Sequence, residues 1–117
     1  MIARASLQTL VGQIDRIPAV RKADLGLGDC LIVNTRNSCY RLVSLGNGQF
    51  RVSGGWFEKA GMTDATTGIN GCTFGGTVIH AGLAAGQGLF LEFDNNVRTT
   101  RIQRFRVIQQ GCPEAVH

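Results

Sequence analysis

The chain reads as an all-β domain, a small antiparallel β-barrel or a curled β-sandwich, with a short helix expected near its N-terminus. Three features predict this class. Apolar and polar residues alternate through short runs, which is the signature of half-buried strands. Turn-forming residues separate those runs at a spacing of roughly ten residues, as in small β domains. Sixteen glycines stand against two prolines, a balance that suits tight turns and bulges rather than extended linkers.

The 117 residues suit a single domain, and 44% of them are apolar, an ordinary share for a chain that buries a core. We expect one β domain over 1–117, with an N-terminal segment at 1–23, a β core at 24–110 and a frayed tail at 111–117. In the first segment, Leu7, Leu10, Val11 and Ile14 recur at i, i+3, i+4 and i+7, which is one helical face. Ser6 is placed to cap it, and Pro18 stops it. Gly12 weakens the helix, so a strand over 9–17 anchored on Val11 and Ile17 stays open as its rival.

Two runs, 30–35 and 38–45, predict a hairpin about Arg36-Asn37. That loop sets Val33 opposite Tyr40 and Leu31 opposite Leu42 on one face, with Asn34 opposite Cys39 on the other. Arg-Asn is an unfavoured two-residue turn, so a longer loop is the competing reading. Gly46-Asn47-Gly48 is the clearest turn in the chain, and residues 49–53 return from it as a third strand. Trp56 is expected in the core, in a loop that runs towards Thr67. Strands are expected at 66–73 and 77–80, followed by a loop over 81–87. A strong strand at 89–93 should then pair with a long run at 97–108. Alternation in that run slips near Arg101-Ile102-Gln103, where a β-bulge or a break would repair it.

The chemistry-bearing residues are sparse. The four cysteines, at 30, 39, 72 and 112, include no C-x-x-C pair, so no zinc finger or ribbon spacing is present and no metal site or cofactor is expected. Glu92 should face solvent from its strand. Cys72 and His80 form the one candidate nucleophile–base couple, weighed against a buried thiol beside an unrelated strand-end histidine. The glycines at 75–76 and 82–88 lack the pattern of a phosphate-binding loop and read as devices of curvature. No apolar run approaches bilayer-spanning length, so a cytoplasmic protein with no membrane partner is the expectation.

One charge feature stands apart. The net charge is +4, and ten of the twelve basic residues are arginines. Arg98, Arg101, Arg104 and Arg106 fall within nine residues and have no acid among them. A small barrel could bring them beside Arg36, Arg41 and Arg51. Such a surface suits a protein partner, self-association or single-stranded nucleic acid. Phe50, Phe90, Phe93 and Phe105 are expected to point inward, leaving no aromatic ladder beside the arginines.

The blocks Leu31-Ile32-Val33-Asn34-Thr35-Arg36-Asn37-Ser38-Cys39-Tyr40-Arg41-Leu42, Gly71-Cys72-Thr73-Phe74-Gly75-Gly76 and Thr99-Thr100-Arg101-Ile102 resemble those of a group of small bacterial all-β proteins with no assigned activity. The resemblance covers about residues 28–108. It implies a compact β domain and draws attention to residues 34–38, where Asn, Thr and Ser side chains can also simply hydrogen-bond the turn. The reading that combines these observations is a noncatalytic binding or assembly domain. Asn34, Arg36, Asn37, Arg41, Arg98, Arg101, Arg104 and Arg106 are its candidate contact residues. Nucleic-acid binding and a cysteine-dependent enzyme are the alternatives.

Overall fold

The computed structural model describes residues 17–62 and 64–109. The helix or strand expected at 7–17 therefore lies almost wholly outside the described residues, and so does the tail at 111–117. Six antiparallel strands close into a barrel in the order β2 (Cys30–Thr35), β3 (Cys39–Gly46), β4 (Gln49–Gly54), β5 (Ala65–Thr73), β7 (Phe90–Phe93) and β8 (Arg98–Ile108). A separate two-stranded ribbon joins β1 (Ala19–Arg21) to β6 (Leu83–Gly86). Of the two all-β architectures expected, the closed barrel is the one formed.

The first hairpin has the expected register: Leu31 pairs with Leu42, Val33 with Tyr40 and Asn34 with Cys39. Its two-residue loop is Arg36-Asn37, and neither residue takes a positive φ. Thr35 compensates for the unfavoured pair. Its backbone N–H donates to the Ser38 carbonyl at 2.8 Å. Its hydroxyl accepts from the Ser38 N–H at 3.1 Å and donates to the Ser38 carbonyl at 3.2 Å. The second turn relies on backbone conformation instead, with Asn47 at φ 54° and Gly48 at φ 77°. Those angles match the right-handed twist of the flanking strands.

Leu31, Val33, Tyr40, Leu42, Phe50, Val52, Ile69, Leu91, Phe93 and Ile102 fill the barrel. The long strand β8 keeps its apolar residues on that core through two bulges. Thr99 and Thr100 together oppose the single residue Leu91, whose N–H donates to the Thr99 hydroxyl at 3.1 Å. Gln103 is then an extra residue between Ile102, which pairs with Thr35, and Arg104, which pairs with Asn34. Inward positions therefore run Thr99, Ile102, Phe105, Val107, and the slip expected near Arg101 is a bulge on either side of Arg101-Ile102.

Several expectations are corrected. Residues 77–80 form no strand; only His80 bridges, to Cys72. The segment expected as a loop after Ala81 contains β6, whose four residues are all buried. Leu83, Ala84 and Ala85 join the barrel core, and their small size lets the ribbon lie close. Its partner β1 falls inside the stretch set apart as the N-terminal segment.

Trp56 is 40% exposed, whereas its neighbour Phe57 is fully buried. Both lie on α1 (Gly55–Lys59), where adjacent residues point about 100° apart and only one can meet the core. Phe57 takes that place, packing edge-on to Phe93 at 5.0 Å and to Tyr40 at 6.3 Å. The Tyr40 ring lies where a Cβ on Gly55 would stand, and its hydroxyl accepts the Trp56 N–H at 3.2 Å.

Gly71 has φ 142°, and a Cβ there would stand 2.3 Å from the His80 carbonyl oxygen. Gly76 has open space around it. In denaturant unfolding, Gly71→Ala should lower stability by roughly 2–4 kcal/mol, and Gly76→Ala should stay within about 0.5 kcal/mol of wild type. Equal effects would contradict this close approach.

Candidate functional site: an arginine face on the barrel

Residues paired directly across neighbouring strands share a face. On β8, β2, β3 and β4 this places Arg106, Ile32, Arg41 and Ser53 in one outward row. The next row along is Arg104, Asn34 and Cys39. The barrel therefore brings Arg41 of the first hairpin to the same surface as Arg104 and Arg106 of the last strand. Arg51 lies on the same outer side, paired with Val43. Arg36 stands at the hairpin tip, where its N–H donates to the Arg101 carbonyl at 3.1 Å. These four strands contain six arginines and no acid.

The arginines of β8 divide by what they touch. Arg98 makes the one salt bridge found among the described residues, 2.9 Å to Glu92. It also donates to the carbonyls of Gly75 and Gly76 at 3.4 and 3.3 Å. Glu92 accepts a further hydrogen bond from Asn70, the extra residue in a bulge of β5. The Asn70 and Arg98 hydrogen bonds hold its carboxyl below the usual carboxylate range. Its side chain points away from the buried Leu91 and Phe93, as alternation predicts, but Arg98 and Asn70 cover it and leave it 13% exposed rather than open to solvent. The acid absent from the local sequence is supplied by the neighbouring strand, and Arg98 is occupied in structure.

Arg101 is held differently. Its guanidinium carbon lies 4.6 Å from the centroid of the Phe90 ring, and Nη1 donates to the Gly88 carbonyl at 2.8 Å. Phe90 pairs with Arg101 on the outer side of the sheet and is partly exposed, which corrects its expected inward orientation. Arg36, Arg41, Arg51 and Arg104 have exposed side chains and make no ion pair among the described residues. Asn37 is exposed at the hairpin tip, and Asn34 is half-buried in the row with Arg104.

Cys72 and His80 are paired through the backbone. Cys72 N–H donates to the His80 carbonyl at 3.2 Å, and His80 N–H donates back at 2.8 Å. The thiol is fully buried and aims at the Leu83 carbonyl, 4.0 Å away. Burial pushes it up to about 12, with Lys22 opposing weakly, so no thiolate forms there near neutral pH. The imidazole packs edge-on to Phe74, with its Nε2 buried and without a partner. Burial also raises the Cys30 thiol, against the pull of Arg41 and then Arg106. Cys39 is the exposed one of the three described cysteines.

Among the described residues, no three His, Cys, Asp or Glu side chains gather as a metal site would require. No described helix is long and apolar enough to cross a membrane. Comparison of the chain with family models, with curated proteins and with solved structures finds no match.

Alkylation of the native protein followed by peptide mass spectrometry should modify Cys39 and spare Cys72 until the chain is unfolded. Modification of Cys72 at the rate of Cys39 would contradict its burial.

Proposed function

We propose that this domain is a noncatalytic binding module that receives an anionic partner on the outer face of β8, β2 and β3. The observation that carries the reading is the pair of cross-strand rows, Arg106–Ile32–Arg41 and Arg104–Asn34–Cys39, on strands that contain no acid. Opposite strands lie about 4.8 Å apart and alternate residues about 6.6 Å apart along a strand. The guanidinium groups are therefore spread over a patch of nearly 10 Å rather than clustered on one point. Arginine suits such a surface because its planar fork engages carboxylates and phosphates in two parallel hydrogen bonds.

Closure of the barrel adds a second constraint. Every barrel strand has a neighbour on both sides, so a partner cannot add a strand to the barrel and must meet its side chains. The fully buried Cys72 thiol is a poor nucleophile, which favours binding over the cysteine-dependent alternative.

The test uses the full chain with fluorescently labelled polyphosphate and polyglutamate at low salt. Wild type should bind at least one of them saturably, and binding should weaken as salt rises. The double variant Arg41→Glu/Arg104→Glu should keep the far-ultraviolet circular dichroism of wild type and lose at least about tenfold in affinity, because both attractions become repulsions. Unchanged binding by the folded double variant would overturn the site.

A further inference from the structure

We propose that the arginine face binds single-stranded nucleic acid, with a base stacked on the Arg101 guanidinium and phosphates held by Arg36, Arg41 and Arg104. The inference rests on the anion-binding reading above and names the partner of that same site. Arg101 carries it. Most exposed arginines sample many rotamers, but this one is fixed at two points: the Phe90 ring at 4.6 Å and the Gly88 carbonyl at 2.8 Å. The guanidinium carbon lies over the ring, and the residue remains exposed to solvent.

The support beneath Arg101 is itself ordered. Gly75 has φ 128°, and a Cβ built there would stand 3.3 Å from the Phe90 ring, so the loop lies close against that ring. The same loop is tied by the Thr73 hydroxyl, which accepts the Gly75 N–H at 3.1 Å and donates to the Gly76 carbonyl at 3.2 Å. Arg98 clamps it from the other side through the Gly75 and Gly76 carbonyls, and Glu92 orients Arg98. Glu92, Arg98, the 73–76 loop, Phe90 and Arg101 thus form a continuous chain of contacts that ends in a flat, exposed cation.

Different classes of anion would use this cation differently. A carboxylate or phosphate binds best to the guanidinium edge, through paired N–H groups. Arg101 has committed one N–H of Nη1 to a backbone carbonyl and sets its guanidinium carbon over the Phe90 ring; we take the face away from that ring as the stacking surface. A planar cation backed by an aromatic ring is a stacking surface for nucleobases, which pack on arginine planes and aromatic faces whatever their sequence. Arg104 lies just beyond the Gln103 bulge, and Arg36 stands at the hairpin tip fastened to the Arg101 backbone. Charges for neighbouring phosphates therefore lie next to the platform, along β8 and at the tip of the first hairpin. A duplex keeps its bases stacked inside and is read by a helix or ribbon entering a groove. The one described α-helix is five residues long and lies elsewhere, on β4, and the β1–β6 ribbon is packed on the barrel core through the buried residues of β6.

The test titrates the full chain with labelled oligothymidylate of about twelve nucleotides, with its duplex, with polyphosphate and with polyglutamate. Oligothymidylate should bind saturably and more tightly than the other three. Its log–log salt slope should be near −2, from about 0.7 per phosphate contacted. Arg101→Lys keeps the charge and removes the plane; it should lower the ratio of oligothymidylate to polyphosphate affinity about tenfold. Phe90→Leu should move the same ratio in the same direction, which secures the test if either variant fails to fold. An unchanged ratio in the folded variants, or a duplex bound as tightly as the single strand, would overturn the inference. Preference for polyglutamate would also overturn it, while leaving the anion-binding face standing and pointing to an acidic protein. Failure of all four probes to bind would remove both readings.

Discussion

The structure depends on one pairing, that of β8 with β2. A curled sheet becomes a barrel only when its last strand reaches its first, and β8 must do this while still serving β7 on its other side. The two neighbours impose different registers. An extra residue opposite Leu91 and another at Gln103 reconcile them, at the cost of a local break in the ladder. A one-residue slip in a strand exchanges its two faces. Without these bulges, Ile102 would turn to solvent and an arginine would turn to the core. The bulges are therefore what keep one strand apolar inside and basic outside over its whole length.

The surface chemistry follows from that closure. Strands β8, β3 and β4 carry arginine, and neither they nor β2 contain an acid, whereas Glu92 and Asp94 belong to the β5–β7 side. There they are engaged internally: Asp94 accepts from the Gly68 N–H at 2.9 Å and from the Thr67 hydroxyl. Among the barrel strands, acid is thus confined to β7. Within β8 the arginines are not equivalent. Arg98 braces a loop, Arg101 is held over Phe90, and Arg104 follows the bulge. A sequence cluster of four arginines resolves into a brace, a platform and contact charges.

Much of the fold can be read from local chemistry. The register of the first hairpin follows from pairing Val33 with Tyr40 across Arg36-Asn37, and Asn47-Gly48 announces its own turn. The irregularity near Arg101 is visible as broken alternation. Other features depend on distant partners. Strand β6 consists of Leu83-Ala84-Ala85-Gly86, which has no β-branched or aromatic residue to signal a strand; it is extended because β1 pairs with it and because small residues fit against the core. Trp56 and Phe57 carry the same kind of signal, and only the Tyr40 and Phe93 rings decide which is buried. The candidate face is legible as composition, in that the arginines and the lack of acid are in plain view. The Glu92 partner of Arg98 and the Phe90 support of Arg101 arise from the β7–β8 register and are not local properties of either segment.

The most direct test of the account is the register of the closing pair, measured by interstrand nuclear Overhauser effects in solution. Contacts are expected between Asn34 and Arg104 and between Thr35 and Ile102, with Gln103 left unpaired between them. Contacts of Thr35 with Gln103 in an unbroken ladder, or the absence of any β2–β8 contact, would contradict the bulged closure and with it the arrangement of the arginine face.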